Sequence, residues 1–74
     1  MRTILLIEDE AAIADTVLYA LKSEGFTTEW SRLGNEGIAW LRQHPLTALL
    51  ILDVGLPDGN GFEFCKTIRR FSDI

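Results

Sequence analysis

Seventy-four residues leave room for one domain at most, since a chain of this length buries only about 60% of the surface its unfolded form exposes. With 47% apolar and 24% charged residues, no repeat and no biased stretch, the composition is globular rather than disordered or fibrous. Eleven acids against seven bases give a formal net charge of −4, which disfavours nucleic acid and anionic membranes as direct partners, and the single cysteine, Cys65, excludes an internal disulfide and a thiolate zinc site.

The chain opens Met1-Arg2-Thr3 and runs apolar only over residues 4–7 before Glu8-Asp9-Glu10, too short for a signal-peptide core or a membrane span, so it reads as cytoplasmic. Ile4-Leu5-Leu6-Ile7 has no polar alternation, the pattern of a strand buried on both faces of a parallel sheet. From residue 11 to 24, Ile13, Ala14, Val17, Leu18 and Leu21 recur at intervals of three and four, which predicts an amphipathic helix. Gly25 then suits a left-handed C-cap closed by Phe26. Thr27-Thr28-Glu29-Trp30 is β-branched and aromatic but half polar, as an edge strand is. Residues 33–43 carry Leu33, Gly37, Ile38 and Leu41 on one side and predict a second helix, ended by Pro45.

Residues 48–52, Ala-Leu-Leu-Ile-Leu, form the second continuous apolar run and predict a second buried strand, ending at Asp53. Four of the eight residues from Val54 to Gly61 are Gly or Pro, which predicts a loop, and Asn60 with Glu63 resembles a capping box opening a third helix. That helix would turn Phe64, Cys65, Ile68 and Phe71 inward. The order β-α-β-α-β followed by the start of another helix is that of an open parallel α/β unit.

Both continuous strands end in acid. Ligands of open α/β sheets bind outside the carboxyl ends of the strands, so if these two strands are neighbours, Glu8, Asp9 and Asp53 converge there. Three such anions raise one another's pKa, a conflict that a divalent cation removes, and hard carboxylate oxygens favour Mg²⁺. A carboxylate at the mouth of a Mg²⁺ site can attack phosphorus and form an acyl phosphate. Asp53 is placed for that role, with Glu8 and Asp9 as metal holders and Gly55 allowing close approach of the backbone.

These two segments, Ile7-Glu8-Asp9-Glu10 and Leu52-Asp53 through Phe62, resemble the acidic pair and phosphoacceptor segment of bacterial two-component response regulator receiver domains, and in particular the winged-helix DNA-binding branch of that family. The resemblance covers the whole chain and implies a flavodoxin-like (CheY-like) fold. It implies that Asp53 is phosphorylated by a sensor histidine kinase, that Glu8 and Asp9 bind Mg²⁺, and that the Gly55 carbonyl is a backbone ligand. Glu8 stands where the family more often has Asp, while Pro57 and Gly61 match its loop. The family continues with a fourth strand bearing a Ser/Thr and a fifth followed by a Lys, which these residues do not include. The expectation is therefore the N-terminal part of a receiver domain over residues 1–74, lacking the C-terminal strands and any DNA-binding output domain, and controlling transcription in the longer protein.

Two other readings stand beside a non-enzymatic phosphoacceptor. A haloacid-dehalogenase-like Mg²⁺ phosphohydrolase also uses an aspartyl phosphate, but needs an Asp two residues after the nucleophile, where Gly55 stands. A self-associating half-domain would use strand 48–52 as an unpaired apolar edge, giving a homo-oligomer of the 74 residues taken alone. His44, beside Pro45 and without an acidic partner, reads as a surface residue, Cys65 as a small core hydrophobe, and Trp30 and Trp40 as partly buried margins. A calcium loop at residues 58–61 fails for want of a Glu at the required distance.

Overall fold

The computed structural model describes residues 2–74. Strand β1 (Thr3–Ile7) is central, flanked by β2 (Thr27–Ser31) and β3 (Leu49–Leu52), all parallel. Its place in the middle explains its unbroken apolar run: a strand packed on both faces has no solvent side, and Ile4 to Ile7 are all at most 3% exposed.

Helices α1 (Ala11–Ser23) and α2 (Gly34–Gln43) join these strands. The chain steps from β1 outward to β2, then back across β1 to β3, so two right-handed crossovers place α1 and α2 on opposite faces. Helix α3 (Gly61–Arg69) shares the α2 face. There Leu5 and Ile7 pack with Ile38, Leu41, Leu56, Phe64 and Ile68 in the main core cluster. Ile4 and Leu6 alternate to the other face, where Ala14 of α1 is fully buried.

α1 ends as its sequence predicts. Phe26 N–H donates to the Leu21 carbonyl at 3.2 Å and Gly25 N–H to that of Lys22 at 3.0 Å, the paired bonds of a Schellman cap, with Gly25 at φ +91°. Its apolar stripe is less buried than the periodicity suggests. Ile13 is exposed and Val17, Leu18 and Leu21 are half-buried, because α1 has no neighbouring helix on its face among the described residues.

Four further expectations are corrected. β3 is not a fully buried strand: Leu49 is 50% exposed and Leu50, Ile51 and Leu52 are half-buried, since β3 forms an edge of the sheet, as β2 does on the other side. Residues 54–61 are not a plain loop. They fold into an antiparallel hairpin of β4 (Gly55–Leu56) and β5 (Gly59–Asn60), turning at Pro57-Asp58, a pair suited to a tight turn. In α3, Phe64 and Ile68 are buried, but Cys65 is only half-buried, and Phe71 falls beyond the helix, also half-buried, under the Arg42 guanidinium. Asn60 caps α3 by accepting Phe62 N–H at 2.7 Å, whereas Glu63 pairs with Lys66 at 3.5 Å instead of reaching back to complete a capping box.

His44 is exposed and stacked on Trp40 at 3.9 Å, with Nδ1 2.8 Å from the Trp40 carbonyl, and among the described residues it forms no ion pair. Among the described residues, no helix is long and apolar enough to cross a membrane.

Candidate functional site

Strand register builds the site. Ile7 lies beside Leu52, and Asp53 N–H donates to the Ile7 carbonyl at 3.0 Å, so the residues that follow, Glu8 and Asp53, leave the sheet side by side. Neighbouring strands lie about 4.8 Å apart. One carboxylate oxygen from each of Glu8, Asp9 and Asp53 lies within 4.8 Å of the others. The expected trio is thus brought together at the carboxyl end of the sheet.

Glu8 is 8% exposed, the most enclosed of the three, and its Oε2 accepts Glu10 N–H at 3.1 Å. That N–H is the largest single influence on its pKa and lowers it. Burial, the Asp53 charge and hydrogen bonding with Asp53 and Asp9 together outweigh it and raise the Glu8 carboxyl above its ordinary value. Three carboxylates are thus held within a few ångströms of one another, an arrangement that like charges disfavour. Three hard oxygen donors with no nitrogen or sulfur ligand among them fit a small divalent cation, which would remove that conflict.

Gly55 lies two residues beyond Asp53, at the start of β4. Gly61 N–H donates to the Val54 carbonyl at 2.7 Å, which makes Gly55–Asn60 a non-hydrogen-bonded pair and leaves the Gly55 carbonyl outside the hairpin ladder. Gly61 itself has no room for a side chain, because a Cβ there would meet the Asp53 carbonyl and lie 2.8 Å from Val54 Cα. The start of α3 thus presses directly on the backbone that carries Asp53.

A residue passed over in the sequence holds the hairpin from its other side. Helix α2 is preceded by Leu33, which has no side-chain acceptor to cap it. Asp58, at the hairpin turn, supplies the cap from 24 residues away: Oδ1 accepts Gly34 N–H at 2.8 Å and Oδ2 accepts Asn35 N–H at 2.9 Å. Desolvation by itself would raise the Asp58 pKa, but the N–H groups of Asn35 and Gly34, with its own N–H, outweigh that and hold it below the ordinary carboxylate value. The positive end of α2 favours the same ionised form. The signal was the apolar Leu33 at an N-cap position together with Pro57-Asp58-Gly59, a turn that places an acid at its tip.

The end of β2 touches the acidic segment as well. Glu8 N–H donates to the Ser31 carbonyl at 3.0 Å, Trp30 Nε1–H to the Glu8 carbonyl at 2.8 Å, and Arg32 Nη2 to the Asp9 carbonyl at 3.0 Å. Trp30 is therefore more than the partly buried margin its sequence position suggested.

Comparison with known proteins gives concordant results. The family model described as "Response regulator receiver domain" matches residues 4–74. Over 66 residues, 89% of this chain, it is 44% identical to the transcriptional regulatory protein CreB of Escherichia coli (strain K12) and 41% identical to the cell cycle response regulator CtrA of Brucella ovis. In each case the match covers 28% of the relative's length. Among solved structures, a chain from the crystal structure of histidine kinase ThkA in complex with response regulator TrrA superposes with a TM-score of 0.90 at 28% identity, over 97% of this chain and 61% of that one.

Replacing Asp58 with Ala is expected to lower stability at neutral pH by about 1 kcal/mol, the usual value of a lost N-cap, measured by urea unfolding. The folded pKa is depressed, so this contribution is complete above the unfolded value of 3.8 and fades as pH falls through the folded one; the gap between Asp58→Ala and the unaltered protein should close in acid.

Proposed function

This chain belongs to the response regulator receiver domain family, and from that premise we propose that Asp53 is its phosphoacceptor, taking a phosphoryl group from the phosphohistidine of a sensor histidine kinase. In the same reading, Glu8, Asp9 and Asp53, with the backbone carbonyl of Gly55, hold Mg²⁺. The supporting observation is the convergence of three carboxylates where two adjacent parallel strands end.

Asp53 directly follows β3, with its N–H tied to the Ile7 carbonyl of β1 and Gly61 packed closely against its carbonyl, so its carboxylate is offered from a held backbone. One carboxylate oxygen attacks phosphorus; the P–O bond forms as the P–N bond of phosphohistidine breaks, and the imidazole leaves with the electron pair and takes a proton from water. A bound Mg²⁺ supplies neutralisation of the charge on the phosphoryl oxygens. Glu8 and Asp9 act as holders, coming from the segment that follows the neighbouring strand β1.

A similarly folded chain occurs in a structure of a histidine kinase with its response regulator, which supports a kinase as partner. CreB is a transcriptional regulatory protein, which supports control of transcription by a longer protein of which these residues are the N-terminal receiver part, through a DNA-binding output domain that this segment does not itself include. The net charge of −4 argues against direct nucleic-acid contact by the segment, and membership of the receiver family supports the cytoplasm as the setting. Turnover as a phosphohydrolase is disfavoured by Gly55, which stands where that chemistry needs an acid/base carboxylate.

Incubation with a small phosphodonor and Mg²⁺ should add one phosphoryl mass to the protein, and Asp53→Asn should abolish the gain; a gain persisting in that variant would place the acceptor elsewhere. Mg²⁺ at a hundredfold excess over its Kd should stabilise the fold by about 2.7 kcal/mol, read as a rise in Tm that EDTA reverses and Asp9→Asn weakens. The 74 residues taken alone should self-associate through the open β3 edge, where Leu49 is 50% exposed; sedimentation as a monomer would count against that pairing.

A further inference from the structure

The ladder between β1 and β2 runs from Thr3–Thr27 to Ile7–Ser31, and past it the acidic segment has left the sheet. The carbonyls of Glu8 and Asp9 take their hydrogen bonds from side chains instead, both from the exit of β2: the Trp30 indole at 2.8 Å and the Arg32 guanidinium at 3.0 Å. The two donors brace each other, with the Arg32 guanidinium carbon 5.5 Å from the Trp30 ring centroid in a cation–π contact. With Glu8 N–H on the Ser31 carbonyl, three consecutive residues at the exit of β2, Trp30 to Arg32, grip Glu8 and Asp9 through the main chain.

What Arg32 does not touch is equally informative. Among the described residues, no ion pair within 4.0 Å joins it to Asp9 or Glu8, although three carboxylates lie close together there. An arginine bound to the Asp9 carboxylate would compete with a cation for the same oxygens. Bound to the Asp9 carbonyl, it fixes the backbone and leaves those oxygens free.

We propose that Trp30 and Arg32 are positioning residues that set the cation affinity of the Glu8, Asp9 and Asp53 cluster by clamping the Glu8 and Asp9 carbonyls. The proposal rests on the Mg²⁺ reading above and extends it to two residues outside the ligand set. Groups that orient metal ligands without touching the metal typically change affinity by about 10-fold or more when removed. The clamp holds main chain rather than ligand side chains, so about 10-fold is the expected loss for each variant.

Mg²⁺ binding to the protein is measured by calorimetric titration under native conditions, with urea unfolding in EDTA alongside. Trp30→Phe keeps the ring but removes the donor, and Arg32→Met keeps the stem but removes the guanidinium. Both should weaken Mg²⁺ binding by about 10-fold while folded at the titration temperature, and Arg32→Lys, which restores a donor, should recover part of the loss. Unchanged affinity in Trp30→Phe and Arg32→Met overturns the clamp. Absence of Mg²⁺ binding by the unaltered protein overturns the metal reading itself, and the clamp with it.

A second measurement needs no variant. The Trp30 indole N–H resonance should shift through a Mg²⁺ titration and saturate with the calorimetric curve. Trp40, which lines a cavity with Thr3 at the opposite end of β1 and stacks on His44, serves as the internal control and should not move. A Trp30 resonance that stays still while Mg²⁺ binds would also overturn the clamp.

Discussion

The parallel pairing of β1 with β3, running from Ile4–Leu49 to Ile7–Leu52, ties the core and the site together. Side chains alternate along a strand, so this register decides at once which faces Leu5 and Ile7 present to α2 and α3 and which acids meet at the strand ends. A slip of one residue would exchange the inner and outer faces of β3 and carry Asp53 a full step away from Glu8. The apolar surface that stabilises the fold is thus also what holds like charges together. No attraction among Glu8, Asp9 and Asp53 does this; their repulsion is overcome by hydrophobic burial behind them.

Glu8 and Asp58 show how far environment governs one functional group. Both are carboxylates near the same end of the sheet. Glu8 is enclosed and faces two other acids, and its pKa is raised despite a backbone N–H that opposes the shift. Asp58 faces two free N–H groups at the positive end of α2, and its pKa is lowered despite some desolvation. The first carboxylate is in tension and suits a cation; the second is satisfied and serves as a structural tie. Charge alone would not separate these roles, whereas the donors around each group do.

A segment with glycine or proline at four of eight positions would ordinarily be mobile, yet the hairpin after Asp53 is fastened at three points. Leu56 enters the core, Asp58 caps α2, and Gly61 lies against the Asp53 backbone. Gly34 adds to this packing, since a Cβ there would collide with the Phe64 ring between α2 and α3. The hairpin is therefore held both to the start of α2 and to the backbone that carries Asp53. On the other side, the exit of β2 holds the Glu8–Asp9 backbone, so each wall of the site is fixed by an element distant in sequence.

Much of this was legible in the residues themselves. Two unbroken apolar runs, each ending in acid, identify strands and place Glu8, Asp9 and Asp53 at their carboxyl ends. The periodicity of residues 11–24 and Gly25 mark α1 and its cap, because these signals depend on neighbours within one or two turns. The half-polar β2 was correctly an edge strand, but the apolar β3 was read as buried, since apolarity records what a strand can pack against and not whether a partner is beside it. The Asp58 cap, the Trp30 and Arg32 bonds to the acidic pair, and the hairpin that brings Asp58 to α2 were decided only by the tertiary structure. The cap and the Trp30 and Arg32 bonds each join groups more than 20 residues apart through one or two hydrogen bonds, and such contacts leave no periodic trace in a sequence.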